Sequence, residues 1–158
     1  MKTPQEIAAA FTETDVHDDT VESFRVIPAR NRRGSAKLEI DLFRHWEGRR
    51  RRLSINGCVN ISLALDTTIL ADNAPSNTAR LEAHSDIDAM IELVTEHKTF
   101  WNVEYDNSID PLPKKLKVLG GLVLFKVRLF GGTLVILARS FRLSKLPALS
   151  TDDAPKKT

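Results

Sequence analysis

The chain has 158 residues, 42% of them hydrophobic and 28% charged, and carries a formal net charge of +2. That is the size of one domain, long enough to close a hydrophobic core without metal or disulfide staples. The balance excludes a collagen-like, a disulfide-rich or a wholly disordered chain.

In chain order, Thr3-Pro4-Gln5-Glu6 opens a short helix. Thr3 is placed to cap, Pro4 fits the first helical position, and Glu6 closes a capping box. Ile7 and Phe11 give this helix one apolar face, and it is expected to fade near Thr12. Thr20–Ile27 reads as a strand ended by Pro28. Residues 35–46 then alternate. Ala36, Leu38, Ile40, Leu42 and Trp46 share one face, and Lys37, Glu39, Asp41 and His45 share the other with Phe43, the pattern of a half-buried antiparallel strand.

The longest alternation follows Arg49–Arg52. Leu53, Ile55, Val59, Ile61, Leu63 and Leu65 are expected on the buried face, with Gly57 as a bulge or bend. Residues 67–70 could continue this strand, 71–78 read as a loop, and 79–83 as a short strand. Ser85-Asp86-Ile87-Asp88 is a second capping box that opens a helix with an apolar stripe at Ile87, Met90, Ile91 and Val94. Leu122–Phe130 and Thr133–Leu143 read as two strands joined by Gly131-Gly132. Both are apolar on both faces, so the hairpin is expected to be covered. Together these elements predict a single α+β domain over residues 1–149. Its frame is a mainly antiparallel twisted sheet of about six to eight strands with two helices, and residues 150–158 form a flexible tail.

Charge is segregated along the chain. Residues 25–52 hold ten basic groups against three acids, and residues 66–110 hold ten acids against two basic groups. Cys58 is the one cysteine, which permits no intramolecular disulfide and suits a reducing compartment. The first residues lack the apolar segment of a secretory signal. The longest apolar run, residues 118–125, is far shorter than the roughly 20 residues of a membrane span. A cytoplasmic protein without membrane insertion is therefore expected.

Four groups of residues are candidates for function. His17-Asp18-Asp19, with His45 or His84, is the type of set that binds metals or moves protons, but its spacing matches no metal motif. Cys58 lacks neighbours that would activate a nucleophile. Arg49, Arg50, Arg51 and Arg52, with Arg30, Arg32 and Arg33, could hold phosphates, although no aromatic residues interleave them. Asp88, Glu92 and Glu96 recur every four residues on the second predicted helix and would form an acidic docking surface for a basic protein. Neither glycine pair has the pattern of a phosphate loop. No metal and no cofactor is expected.

Three stretches carry a family likeness: His17-Asp18-Asp19-Thr20-Val21-Glu22-Ser23, the paired strands after it, and Leu129-Phe130-Gly131-Gly132-Thr133-Leu134. They resemble small β-rich bacterial domains, including immunity proteins of polymorphic toxin systems, and depart from them in the arginine runs. The resemblance implies a cytoplasmic binding protein without catalysis, with a protein partner such as a basic toxin domain. Three readings stay open. The first is this non-enzymatic binding protein, docking through Asp88, Glu92 and Glu96. The second is a nucleic-acid or polyanion binder using arginine-rich turns at Arg49–Arg52, and the third is a small enzyme using the His17/Asp18/Asp19 region.

Overall fold

The structure, a computed structural model, describes residues 2–30, 35–65, 78–86 and 121–147. Helix α1 (Pro4–Thr12) begins as its residues dictate. The Glu6 N–H donates to Thr3 Oγ1 at 3.2 Å, and the Thr3 N–H donates to Glu6 Oε2 at 2.7 Å. Among the described residues eight strands follow: β1 (Thr20–Ile27), β2 (Ala36–Arg44), β3 (Arg49–Cys58), β4 (Asn60–Leu65), β5 (Thr78–His84), β6 (Val123–Leu129), β7 (Gly132–Ala138) and β8 (Ser140–Lys145). A short 3-10 turn, His45–Glu47, links β2 to β3.

The strands form two four-stranded antiparallel sheets, ordered β1-β2-β3-β8 and β4-β7-β6-β5, rather than the one sheet expected. Two long strand-like stretches of the sequence each supply a strand to both sheets. Residues 49–65 become β3 and β4, and residues 132–145 become β7 and β8. They stay partnered through the crossing, with Asn56 opposite Ser140 on one side and Asn60 opposite Leu137 on the other. Two hydrogen bonds hold the corner: the Arg139 N–H donates to the Asn56 carbonyl at 3.1 Å, and the Val59 N–H to the Leu137 carbonyl at 2.8 Å. Gly57 makes the bend at φ +72°, and the β2–β3 register shifts there. The bulge expected at this glycine is thus the point where the chain changes sheet.

One core joins the sheets. Leu38, Ile40 and Ile55 from the first meet Phe125, Val127 and Ile136 from the second, all with at most 1% exposure. Phe11 of α1 is fully buried between them. Its ring stands edge-on to Phe125 of the second sheet at 4.8 Å and to Phe141 of the first at 4.9 Å. The other face of the second sheet is buried too, at Leu124, Val135 and Leu137, as the two-sided apolar pattern of its hairpin predicts. That hairpin turns on Phe130 and Gly131, since Leu129 pairs Gly132 and Gly131 has φ +83°, so the loop lies one residue earlier than Gly131-Gly132.

Several expectations need correction. Leu63 is opposite the buried Leu134, yet it is 45% exposed, because β4 is an edge strand with a neighbour on one side only. Val59 is 52% exposed at the corner. Trp46 is 59% exposed, because the chain leaves the strand at Arg44 and enters the 3-10 turn. The second predicted helix beyond Asp86, the strand continuation at 67–70 and the tail at 150–158 lie outside the described residues. Among the described residues, no helix is long and apolar enough to cross a membrane.

Candidate functional site

The arginine run does not sit in a turn. It opens β3, a central strand whose alternation sends neighbouring side chains to opposite faces, and each guanidinium meets a carboxylate. Arg49 pairs with Glu47 at 3.3 Å, Arg50 with Glu22 at 2.7 Å, Arg51 with Asp19, and Arg52 with Asp41 at 2.6 Å. A run that reads as a basic patch is divided among four neutralising contacts.

Asp19 is the centre of this arrangement. It is fully buried and accepts hydrogen bonds from Arg44 Nε at 2.9 Å and from Arg51. Arg44 also reaches Asp15 at 2.9 Å and Glu47 at 3.2 Å. Burial works against the Arg44 cation, but the bonds to Asp19 and Glu47 outweigh it, and its pKa is raised. The same guanidinium lies 4.9 Å from the ring centre of Trp46. An exposed tryptophan is thereby held on a buried, fixed cation.

The His17-Asp18-Asp19 segment is split by this geometry. Asp19 points inward, whereas His17 and Asp18 are exposed and pair with each other at 2.9 Å, Asp18 having φ +61°. His45 is engaged elsewhere, its Nε2 being 2.7 Å from Thr20 Oγ1. Among the described residues, no group of three or more His, Cys, Asp or Glu is arranged to hold a metal ion. Cys58 is buried, its thiol donates to the Ile55 carbonyl at 3.3 Å, and burial raises its pKa, which disfavours the reactive thiolate. Asp88, Glu92 and Glu96 lie outside the described residues.

Among the described residues, β1 is the most exposed of the edge strands. Among the described residues this strand pairs with β2 alone, and along residues 22–27 its other row of backbone N–H and C=O groups has no strand neighbour among them. Residues 22–27 are all exposed, including Phe24 (36%), Val26 (56%) and Ile27 (37%). Trp46 stands near the start of this edge, since Thr20 is opposite Phe43 and bonded to His45. Sequence reading recognised β1 as a strand but not as an open edge. The mixture of Val21, Phe24, Val26 and Ile27 with Glu22 and Arg25 records pairing propensity, not the number of neighbours.

No family model matches the chain, and neither a curated protein nor a solved structure gives a significant match.

Proposed function

We propose that this is a non-catalytic binding protein whose partner is another protein, received along the edge of β1. The observation that carries the reading is the exposed stretch of this edge strand, residues 22–27, with three exposed large apolar side chains. Such an edge templates addition of a further strand, with backbone hydrogen bonds giving affinity and alternate side chains giving specificity. Trp46, fixed on Arg44 at one end of the edge, supplies the aromatic anchor that dominates many interfaces. The resemblance to immunity-like bacterial domains favours the same class of function and adds a toxin domain as a kind of partner. The arginine run is spent on internal carboxylates, which weighs against the polyanion reading.

The test is photo-crosslinking in the cells that make the protein. A benzophenone amino acid at Phe24 should form an adduct with another polypeptide chain, and the same group at the exposed Glu13 should not. Absence of a protein adduct at Phe24, or equal labelling at both positions, overturns the proposal.

A further inference from the structure

The distribution of charge along β1 says what fits it. Just before the strand stands Asp18, half exposed beside His17, and just beyond its end stands the exposed Arg30; within it, Glu22 and Arg25 are already paired with Arg50 and Glu39 of the same chain. A strand with an acidic head and a basic tail is complementary to itself when antiparallel, and opposes like charges when parallel. We infer that a second copy of this chain pairs with β1 edge to edge and antiparallel, joining two four-stranded sheets into one of eight strands. This rests on reading β1 as the binding edge and names its occupant.

The register follows from the faces. Phe24 and Val26 are opposite Ile40 and Leu38 and lie on the core side, whereas Arg25 is opposite Glu39 on the other side. Directly opposed residues of an antiparallel pair share a face, so a two-fold axis normal to the sheet must pass between two copies of the same residue. Centred on Arg25, the pairing sets two guanidiniums against each other, which is unfavourable. Centred on Phe24, it stacks the two phenyl rings and places Arg25 opposite the partner copy's Ser23, beside its Glu22. Two of the usual edge guards are absent, since β1 contains no lysine or proline, and its one bulge, between Val21 and Ser23, lies near its start. A single strand pair is at the small end of protein interfaces, so the dimer should be concentration-dependent and weakened by salt.

The experiment is sedimentation of the full chain over a wide concentration range, together with cysteine crosslinking. Wild-type protein should shift from monomer to dimer. The double variant Phe24→Lys/Val26→Lys should stay monomeric with an unchanged circular dichroism spectrum. Under mild oxidation, Phe24→Cys should form an interchain disulfide, because opposed Cα atoms lie about 4.5–5.5 Å apart, within disulfide reach. Val26→Cys should not, since it lies two residues from the axis and does not meet its own copy. A dimer that survives the double lysine variant, or one that crosslinks better through Val26→Cys, overturns the inference. A protein monomeric throughout, whose Phe24 photo-adduct contains a different protein, overturns self-pairing and leaves the binding edge standing. A monomer without any adduct overturns both.

Discussion

Gly57 faces Arg139 at the corner where two paired strands turn from one sheet into the other. A Cβ at Gly57 would lie 2.9 Å from both Arg139 Cβ and Cγ. The position combines left-handed backbone with close approach, so any side chain is opposed twice. Gly57→Ala should lose about 1–2 kcal/mol from the left-handed conformation alone, and more from the collision. Urea denaturation reads the total. Adding Arg139→Ala should return only the share of the collision due to Arg139 Cγ and Cδ, leaving the 2.9 Å contact with its Cβ and the backbone part, because residues in contact do not act additively. A single-variant loss below about 0.5 kcal/mol, the range of neutral surface changes, would mean that the corner relaxes freely.

This corner also marks how far the sequence could be read. Period-two alternation located β2, strand-like stretches bounded by turn residues located β1 and β5, the Gly131-Gly132 pair located the β6–β7 hairpin, and the Thr3–Glu6 pair located the start of α1. Alternation reports which side chains share a face; it carries no sign of which sheet a strand belongs to. Residues 49–65 therefore read as one strand broken by a glycine, and residues 133–143 as one strand with no break at all. Nor did the arginine run disclose its carboxylates. Glu22, Asp19 and Asp41 reach it only through the β1–β2–β3 pairing, which brings together positions up to 32 apart in sequence.

Leu63 and Leu134 show what an edge costs the same reasoning. They are opposite each other on neighbouring strands, yet Leu63 is 45% exposed and Leu134 is 1% exposed. Leu134→Ala should lose about 2–5 kcal/mol, as buried leucines do. Leu63→Ala should lose less than about 1 kcal/mol, in the range of half-exposed sites. Equal losses in paired denaturation curves would show that Leu63 is covered in solution, and the open edge of β4 would have to be abandoned.

Asp19 and Asp18 are adjacent in sequence and opposite in consequence. Asp19→Ala leaves the buried Arg44 and the half-buried Arg51 without their shared carboxylate, which should cost about 3–5 kcal/mol. It should also alter the fluorescence of Trp46, whose ring rests on the Arg44 guanidinium. Asp18→Gly removes only an exposed pair with His17 and relieves a positive φ, so stability should stay within about 0.5 kcal/mol of wild type. If Asp19→Ala were equally silent, the cluster would not anchor the start of β1 to β2 and β3.

Acid should unfold the protein through a small set of carboxylates. Asp41 accepts from Arg52 Nε at 2.6 Å and Nη2 at 2.9 Å, and this bonding, against the opposing effect of burial, holds its pKa below the ordinary 3.8. Glu39 is held below 4.5 by Lys37 first, with burial opposing and Arg25 adding to the effect. At Glu82 burial pushes upward, but Arg128 at 2.9 Å and its neighbours Arg80 and Lys126 prevail. A carboxylate whose pKa is depressed by folding contributes stability that is fully present above its unfolded pKa. That contribution is lost as pH falls through the folded value. Stability should therefore be level from neutral pH to about pH 5 and fall steadily below about pH 4. Asp41→Asn removes one of the linked protons, so its melting temperature should start lower at pH 6 and decline less steeply towards pH 3. Parallel decline in the variant and the wild type would show that Asp41 titrates alike in the folded and unfolded chains. In that case the Arg52 pair would contribute nothing to folding.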